Sequence, residues 1–479
     1  MSDSGEWPTS LSRGLMHFAL SVATDDIPRD VIHTACSRAV DTIGVALAAT
    51  RSGDGDAARR LVLAESAPGG ATVWASGGCL RPAAPAAFAN GMLAHGIDYD
   101  DTHTAATLHP GVVVVPAAFA VGEETGASGP DVLAAIAVGY EVATRLGRLA
   151  PGTFQRKGFH ATSVLGIFGA TAAVCRLFGV DENQAVRAAG IAGSFSSGLM
   201  AYLSDGTDTK PIHAGWAAQG AIRAVQLTKH GASGPATVIE GLAGVFPSFV
   251  GLQIDPADAL VALGSDWSGL AVATKPYPAC HCVHAAVDCW KTIRDREGLT
   301  ADDIPNIRRL TGLLPAWYRH LVCDPIEAKR QPRSVYEARF SLPYAVARAV
   351  VDGDLSLASF DGDKIGDQAV LDVAKKVDYE ELEYPEFPSA FPGGLRVEME
   401  DGRVFEEHLR HNVGSAGNPM TDEQLHAKFL DAAENSANPQ PGDALLAALR
   451  AFESDADPWE PFRAAMTRFD AGDQVRTSR

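Results

Sequence analysis

From Leu11 to Thr50 apolar side chains recur at helical spacing, first Phe18 and Val22, then Val31, Ala35, Ala39, Ile43 and Leu47. Ile27-Pro28 between the two groups marks a helix start, because proline suits the first turn. The same periodicity predicts helices over 82–94, 116–125, 130–148, 161–178, 181–191 and 215–229, many rich in Ala and Gly. Gly166, Gly169, Ala170, Ala172 and Ala173 on one of them imply very close helix packing. Asp181 is placed to cap the helix after it. Glu141 and Arg145 stand four apart, so they share a helix face as an ion pair, in the bundle or at its surface. Residues 72–75 suit a short extended piece.

The pattern changes near Asp255 to Ala273, where a domain boundary is expected. Beyond it, 304–314 has strand character and 345–351 reads as a helix. Two alternating runs, 395–400 and 403–406, flank Asp401-Gly402 and predict a β-hairpin. Helices return over 421–433 and 442–452, the first opened by Thr421 with Asp422-Glu423 in its first turn.

One stretch breaks this regularity. Between His95 and Pro116 stand His95, His103, His109, Asp98, Asp100, Asp101, Thr102, Thr104 and Thr107, followed by Pro110-Gly111 and the apolar run Val112 to Val115. A helix terminus with capping aspartates and exposed histidines is the plain reading. A polar segment anchored by an apolar helix is also how a chain presents acid/base groups in a pocket.

The net charge of −19 disfavours nucleic acid or an anionic membrane surface as partner. No apolar stretch is long enough to span a bilayer, the opening MSDSGEWPTS has no signal-peptide pattern, and seven cysteines without paired spacing suit a reducing compartment. A cytoplasmic protein is expected.

Three chemistries compete. Cys280, His281, Cys282 and His284 resemble metal ligands, but Cys280-x-Cys282 has no second matching pair to close a zinc site. No cysteine stands in a nucleophile signature. No Gly-rich phosphate loop follows a strand, so neither metal nor cofactor is expected. The third is acid/base chemistry on a small anionic carboxylate, which needs a neutral base and cations to hold negative charge. His103, His109, His160, Lys210, Lys275 and His281 or His284 provide both. His160 just before a helix is disfavoured as a cation by the helix dipole.

These residues carry a resemblance. HGIDYDDTH…LHPG, GYEVATRLGR, GFHATSVLGIFGATAA, DGTDTKPIHAGWAAQGAIRA, KPYPACHCVHAAVD, ARFSLPYAVA and NPMTDEQLHAKF follow one another in the order of the motifs of the MmgE/PrpD family. That family includes 2-methylcitrate dehydratase, cis-aconitate decarboxylase and iminodisuccinate epimerase. The resemblance implies a mainly α protein: a large all-α domain from residues 1–270 and 421–479, and a smaller α+β lid domain from 271–420. It also implies a homodimer, an active site between the domains, and no metal or organic cofactor.

Carried over residue by residue, the decarboxylase-like site uses Asp98, Thr102, His109, His160, Lys210 and Lys275, with Asp98 orienting a histidine. The segment from Thr102 to His109 is one residue longer than in the decarboxylase, which leaves His103 and His109 interchangeable. Cys280, followed by His281, replaces a histidine of that enzyme. Leu321-Val322-Cys323 falls near the place of a tyrosine it uses. The expected activity is a metal-free lyase of a di- or tricarboxylate such as 2-methylcitrate or cis-aconitate. The alternative is an epimerase or isomerase of an amino- or imino-dicarboxylate such as iminodisuccinate.

Overall fold

The computed structural model describes residues 10–204 and 207–472. The opening residues MSDSGEWPT, Asp205-Gly206 and the tail beyond residue 472 lie outside the described residues. The chain is mainly α and divides into two compact units. The first contains the residues up to Gly96, Asp100–Val272 and those from Asp422; the second contains Ile97–Tyr99 and Ala273–Thr421.

The first unit is a stack of helices whose core is built mostly from Ala, Val, Leu and Phe. Arg29–Ser52, Ala83–Ala94, Gly111–Thr125, Gly129–Arg148, Ala161–Leu177 and Thr209–Lys229 form its centre. Small residues bring these helices together. A Cβ on Gly169 would sit 2.3 Å from the carbonyl oxygen of Gly139, so the Gly129–Arg148 and Ala161–Leu177 helices touch backbone to backbone. Asp181 caps the Glu182–Phe195 helix in a capping box with Gln184. Glu141 and Arg145 are a buried pair, and Arg145 also donates to the carbonyls of Ala259, Val261, Ala262 and Asp266. The bundle reading of that pair is the one observed.

The Asp422–Glu434 helix packs on Arg29–Ser52, and the buried Lys428 ammonium lies 2.6 Å from the Asp41 carboxylate. The apolar run Val112 to Val115 is itself helical. The helix starts at Gly111 rather than at Pro116, which sits inside it and forgoes only one ladder bond. Likewise the helix expected over 215–229 starts at Thr209, so Lys210 lies in its first turn. The extended piece near residue 72 is the short strand Ala71–Thr72, paired with Leu80–Arg81.

The second unit is built around a four-stranded sheet in the order Val377–Glu381, Ile307–Leu314, Gly393–Met399, Val404–Leu409. The first pair is parallel and the others antiparallel. The last two strands are the hairpin around Asp401-Gly402, with Gly402 at φ 89° in the turn. Val377–Glu381 is not among the elements expected from the sequence, because VDYEE offers only two alternating apolar positions, Val377 and Tyr379, too short a run to mark an edge strand. The His284–Glu297 helix packs on the hairpin strands, and Leu342–Asp352 packs beside it. Val283, Val287, Ile293, Leu310, Tyr344, Leu395 and Val397 are among its core. No helix among the described residues is long and apolar enough to cross a membrane.

The helix contact at Gly169 is directly testable. Gly169→Ala should lower stability by about 1–3 kcal/mol through overpacking, read as a shift of the urea midpoint. An unchanged midpoint would mean that the two helices do not approach so closely.

Candidate active site

The loop after Ala83–Ala94 is shaped by backbone bonds that a hydropathy pattern does not show. His95 closes the helix with its N–H on the Gly91 carbonyl. Thr102–His103 is extended, and the His103 N–H donates to the Leu108 carbonyl at 2.8 Å. The narrow turn between them, with Thr107 in the left-handed region at φ 52°, returns the chain to Asp100 and Asp101. His109 is thereby set against both residues.

Asp100 is the centre of the cluster that results in the first unit. Its carboxylate lies 3.0 Å from Nδ1 of His95 and 3.0 Å from Nδ1 of His109. The His109 Nδ1 also donates to the Asp101 carbonyl at 2.7 Å, and Thr102 Oγ1 lies 3.2 Å away. A carbonyl and a carboxylate only accept, so these partners assign the proton to Nδ1 and leave Nε2 as the basic atom of the neutral ring. The His109 side chain is 14% exposed while those of His95 and Asp100 are 0%, which makes His109 the reachable ring of the pair. Burial alone would raise the Asp100 carboxyl, but in the acid range where it titrates the charges and donors of His95 and His109 outweigh burial and hold it well below the usual range.

His160 joins from the N-terminus of Ala161–Leu177, its own N–H fixed by the Gly198 carbonyl at 2.9 Å. Its ring stacks on His95 with centroids 5.4 Å apart and meets His213 through Nδ1–Nδ1 at 3.2 Å. The Nε2 atoms of His95 and His160 are buried without a protein hydrogen-bond partner among the described residues. Burial pushes the His160 ring well below the ordinary histidine value, and the charges of His95 and Lys210 push it further. Burial lowers His95 to about 4, with the Lys210 charge in the same direction and Asp100 opposing. Lys210 is itself buried, in the first turn of Thr209–Lys229. His95 and His160 are thus buried imidazoles held toward the neutral form beside the Lys210 side chain. Such a group can accept or return a proton at carbon while holding a carboxylate.

Asp101 does a different job. It accepts from the Tyr140 hydroxyl at 2.6 Å and from the Gly111 N–H at 3.1 Å, which ties the start of Gly111–Thr125 to the loop. Any Cβ at Gly111 would come within 2.6 Å of that hydroxyl. Burial raises Asp101 to about 6, opposed by the nearby Arg38 charge and the Tyr140 bond.

The sequence-predicted residues separate into groups. Thr102, His109, His160 and Lys210 belong to the first unit's cluster. His103 does not share its ring contacts: its Nδ1 accepts from the Ala106 N–H at 3.0 Å, and the Ser268 backbone bonds it as well. That engagement sets His103 apart from the acid/base group. Asp98, Lys275, Cys280 and His281 belong to the second unit. The carboxylate that orients histidines is that of Asp100. Asp98, with a left-handed backbone at φ 55°, pairs with Lys275, whose ammonium lies 3.1 Å from its carboxylate and 2.7 Å from its carbonyl. Cys280 is lowered because Cys282 donates to it, against burial. His281 stacks on Phe391 at 4.6 Å and its Nε2 lies 2.7 Å from the Asn412 side-chain amide nitrogen.

Sequence reasoning left His213 out of the first unit's cluster, although it carried a signal, standing three residues after Lys210 in the Thr-Lys-Pro motif. In the second unit Tyr318 is buried, near enough to Cys282 and Cys280 for their charges to add to the burial that raises it, and its hydroxyl has no protein partner among the described residues.

One donor atom each from His95, Asp100 and His109 lie within 4.8 Å of one another, so among the described residues this trio could hold a metal ion. Its fit is poor on chemical grounds. The Nδ1 protons of both rings already point at one oxygen of the carboxylate, Oδ2, and the Lys210 charge acts on His95 against a further cation.

Residues 13–256 match the model of the MmgE/PrpD N-terminal domain and residues 277–453 that of the MmgE/PrpD C-terminal domain. A cis-aconitate decarboxylase of Aspergillus terreus is 30% identical over 436 residues, 87% of each chain. A human cis-aconitate decarboxylase is 29% identical over 399 residues, 81% of this chain and 80% of its own. A cis-aconitate decarboxylase-like protein of Aspergillus oryzae is 25% identical over 461 residues, 92% of this chain and 94% of its own.

The buried neutral histidines have a consequence for stability. The folded values of His95 and His103, near 4, lie below the ordinary 6.5, so the unfolded chain binds more protons between those limits. Stability is therefore present above about pH 6.5 and falls as pH drops toward 4. The denaturant midpoint should decline across this window, and less so in His103→Asn, which keeps an acceptor for Ala106. A flat profile would mean that these rings are not buried in the neutral form.

Proposed function

Because the chain belongs to the MmgE/PrpD family, we propose that it is a lyase acting by acid/base chemistry on a small di- or tricarboxylate, with cis-aconitate the first substrate to test. The observation that carries this reading is Lys210 set among His95, His109 and His160, basic nitrogens beside a buried ammonium. The decarboxylase relatives support the same class.

In the proposed mechanism Lys210 holds a substrate carboxylate, and the negative charge of the bound substrate raises the proton affinity of the nearby rings. In a decarboxylation the bond from carbon to the departing carboxylate breaks, carbon dioxide leaves, and the electron pair shifts through the adjacent double bond. The carbon at its far end takes a proton from a histidine Nε2–H, a proton that the ring has first taken up from solvent once the bound substrate raises its affinity. In a dehydration the neutral ring removes a proton next to a carboxylate, and a second ring protonates the leaving hydroxyl. His160 and His109 are assigned these two roles; Asp100 orients His109 and the stacked His95. The resemblance extends the proposed substrate-binding set to Thr102, Lys275, Cys280 and His281. Metal independence is part of the proposal, supported by the donor protons around Asp100. A homodimer is too, supported by the family resemblance and by the exposed Leu199, Leu203, Ile212, Trp216 and Leu227.

Incubation with cis-aconitate, hydroxytricarboxylates and imino- or amino-dicarboxylates in D2O, read by proton NMR, tests the reaction class. New alkene signals or decarboxylated product are expected after treatment with a chelator. Deuterium exchange without alkene would establish epimerisation instead, and metal-restored activity would overturn metal independence. Light scattering at micromolar concentration should give a dimer mass, and a monomer would refute that part.

The variants should differ in kinetic signature. His160→Ala should lower kcat by at least about a hundredfold with substrate binding nearly intact. Lys210→Ala should raise KM about tenfold or more, the value of a charge-assisted contact of about 1.5–3 kcal/mol. Wild-type turnover by His160→Ala would transfer the proton-handling role to His109. Unchanged kinetics in Lys210→Ala would remove that lysine from the site.

A further inference from the structure

His160 is 4% exposed, so a proton taken at its Nε2 would leave a buried cation beside Lys210. Asp100 is not its partner: the ion pairs of that carboxylate among the described residues are with Nδ1 of His95 and of His109. The Nδ1 of His160 faces another histidine. His213 presents its own Nδ1 at 3.2 Å, with ring centroids 5.3 Å apart, and the Tyr202 ring lies about equally near both, at 6.1 and 6.0 Å. His213 stands one turn after Lys210 on Thr209–Lys229 and is half-buried, between the exposed Ile212 and Trp216. Gly198 supports this contact, since a Cβ there would come within 3.2 Å of the His213 Nδ1.

A hydrogen bond between two imidazole Nδ1 atoms holds one proton, and one only. We propose that His213 is the positioning partner of His160: it accepts the Nδ1–H of the resting ring, which leaves Nε2 free as base, and takes over that bridging proton when His160 is protonated at Nε2. The balance is simple. One proton enters at His160 Nε2, the bridging proton moves from His160 Nδ1 to His213 Nδ1, and the single positive charge comes to rest on the less buried ring. Running the steps backwards returns the proton to the substrate carbon. This is the part that a carboxylate plays for the histidine of a hydrolase triad, performed here by a second imidazole.

The surroundings favour that division. The charged and titratable groups acting on His160 are His95, Lys210, His213 and His109, and Lys210 acts on His213 as well. Burial is the largest cause lowering each ring, but His213 is the less enclosed of the two. Moving the charge outward therefore lowers the cost of protonating the inner ring.

The inference rests on the reading that His160 handles a proton, and its test separates the two. His213→Asn retains an acceptor for the His160 Nδ1–H but cannot take the proton; His213→Phe retains neither function. Both variants should lose at least about tenfold in kcat with KM nearly unchanged, and wild-type kcat in His213→Asn would overturn the proposal. Histidine-selective 15N NMR reads the pair without any substrate. In the wild type, acidification should protonate the two rings as a coupled pair, and in His213→Asn the His160 ring should take up its proton at lower pH. An unchanged His160 titration would overturn the inference even if the enzyme is active. If no carboxylate is turned over, the functional reading fails while the NMR result still decides the role of His213.

Discussion

A carboxylate with no exposed surface stays ionised only where donors replace water, and at Asp100 those donors are the Nδ1–H groups of His95 and His109. Much of the cluster depends on this one shared acceptor. It fixes the tautomers of both rings and turns their Nε2 atoms away from it. His95 in turn provides the face on which His160 stacks. Both contacts fall on a single oxygen, Oδ2, so an amide could keep that acceptor but not its negative charge, and the order of the rings depends on the charge state of the carboxylate.

The scaffold is built to place that carboxylate without strain in the helices. Glycine and alanine let the central helices meet along their backbones, so a chain segment carrying many polar groups can be buried between rigid elements. Asp101 and Tyr140 lock the following helix to the loop, and Gly111 leaves room for that contact. The neighbouring Asp98 faces a different task. Its left-handed backbone presents both a carbonyl and a carboxylate to Lys275, which is 1% exposed and would otherwise be a buried unpaired ammonium.

Adjacent acidic residues thus have three distinct roles: Asp98 neutralises a lysine, Asp100 orients histidines, and Asp101 anchors a helix. The environment explains the difference. Asp100 meets two ring donors and is held ionised. Asp101 meets a phenol and a backbone N–H among other buried carboxylates, and it is raised to about 6. Two side chains of identical chemistry titrate apart because their partners differ.

Much of this protein was legible from residue order alone. Apolar periodicity and Gly/Ala content identify the helices and their close contacts, Asp-Gly between alternating runs identifies the hairpin, and the motif order identifies the family. Those features are local, and local propensity and sequential motifs record them directly. The pairing of Asp100 with two histidines, the engagement of His103 by backbone groups, the attachment of Asp98 to Lys275 and the meeting of His160 with His213 are contacts decided in three dimensions. In Asp98-Tyr99-Asp100-Asp101 the composition is the same whichever carboxylate faces the histidines; a positive φ at Asp98 and the return of the chain at His109 make that choice, and only the folded backbone contains them.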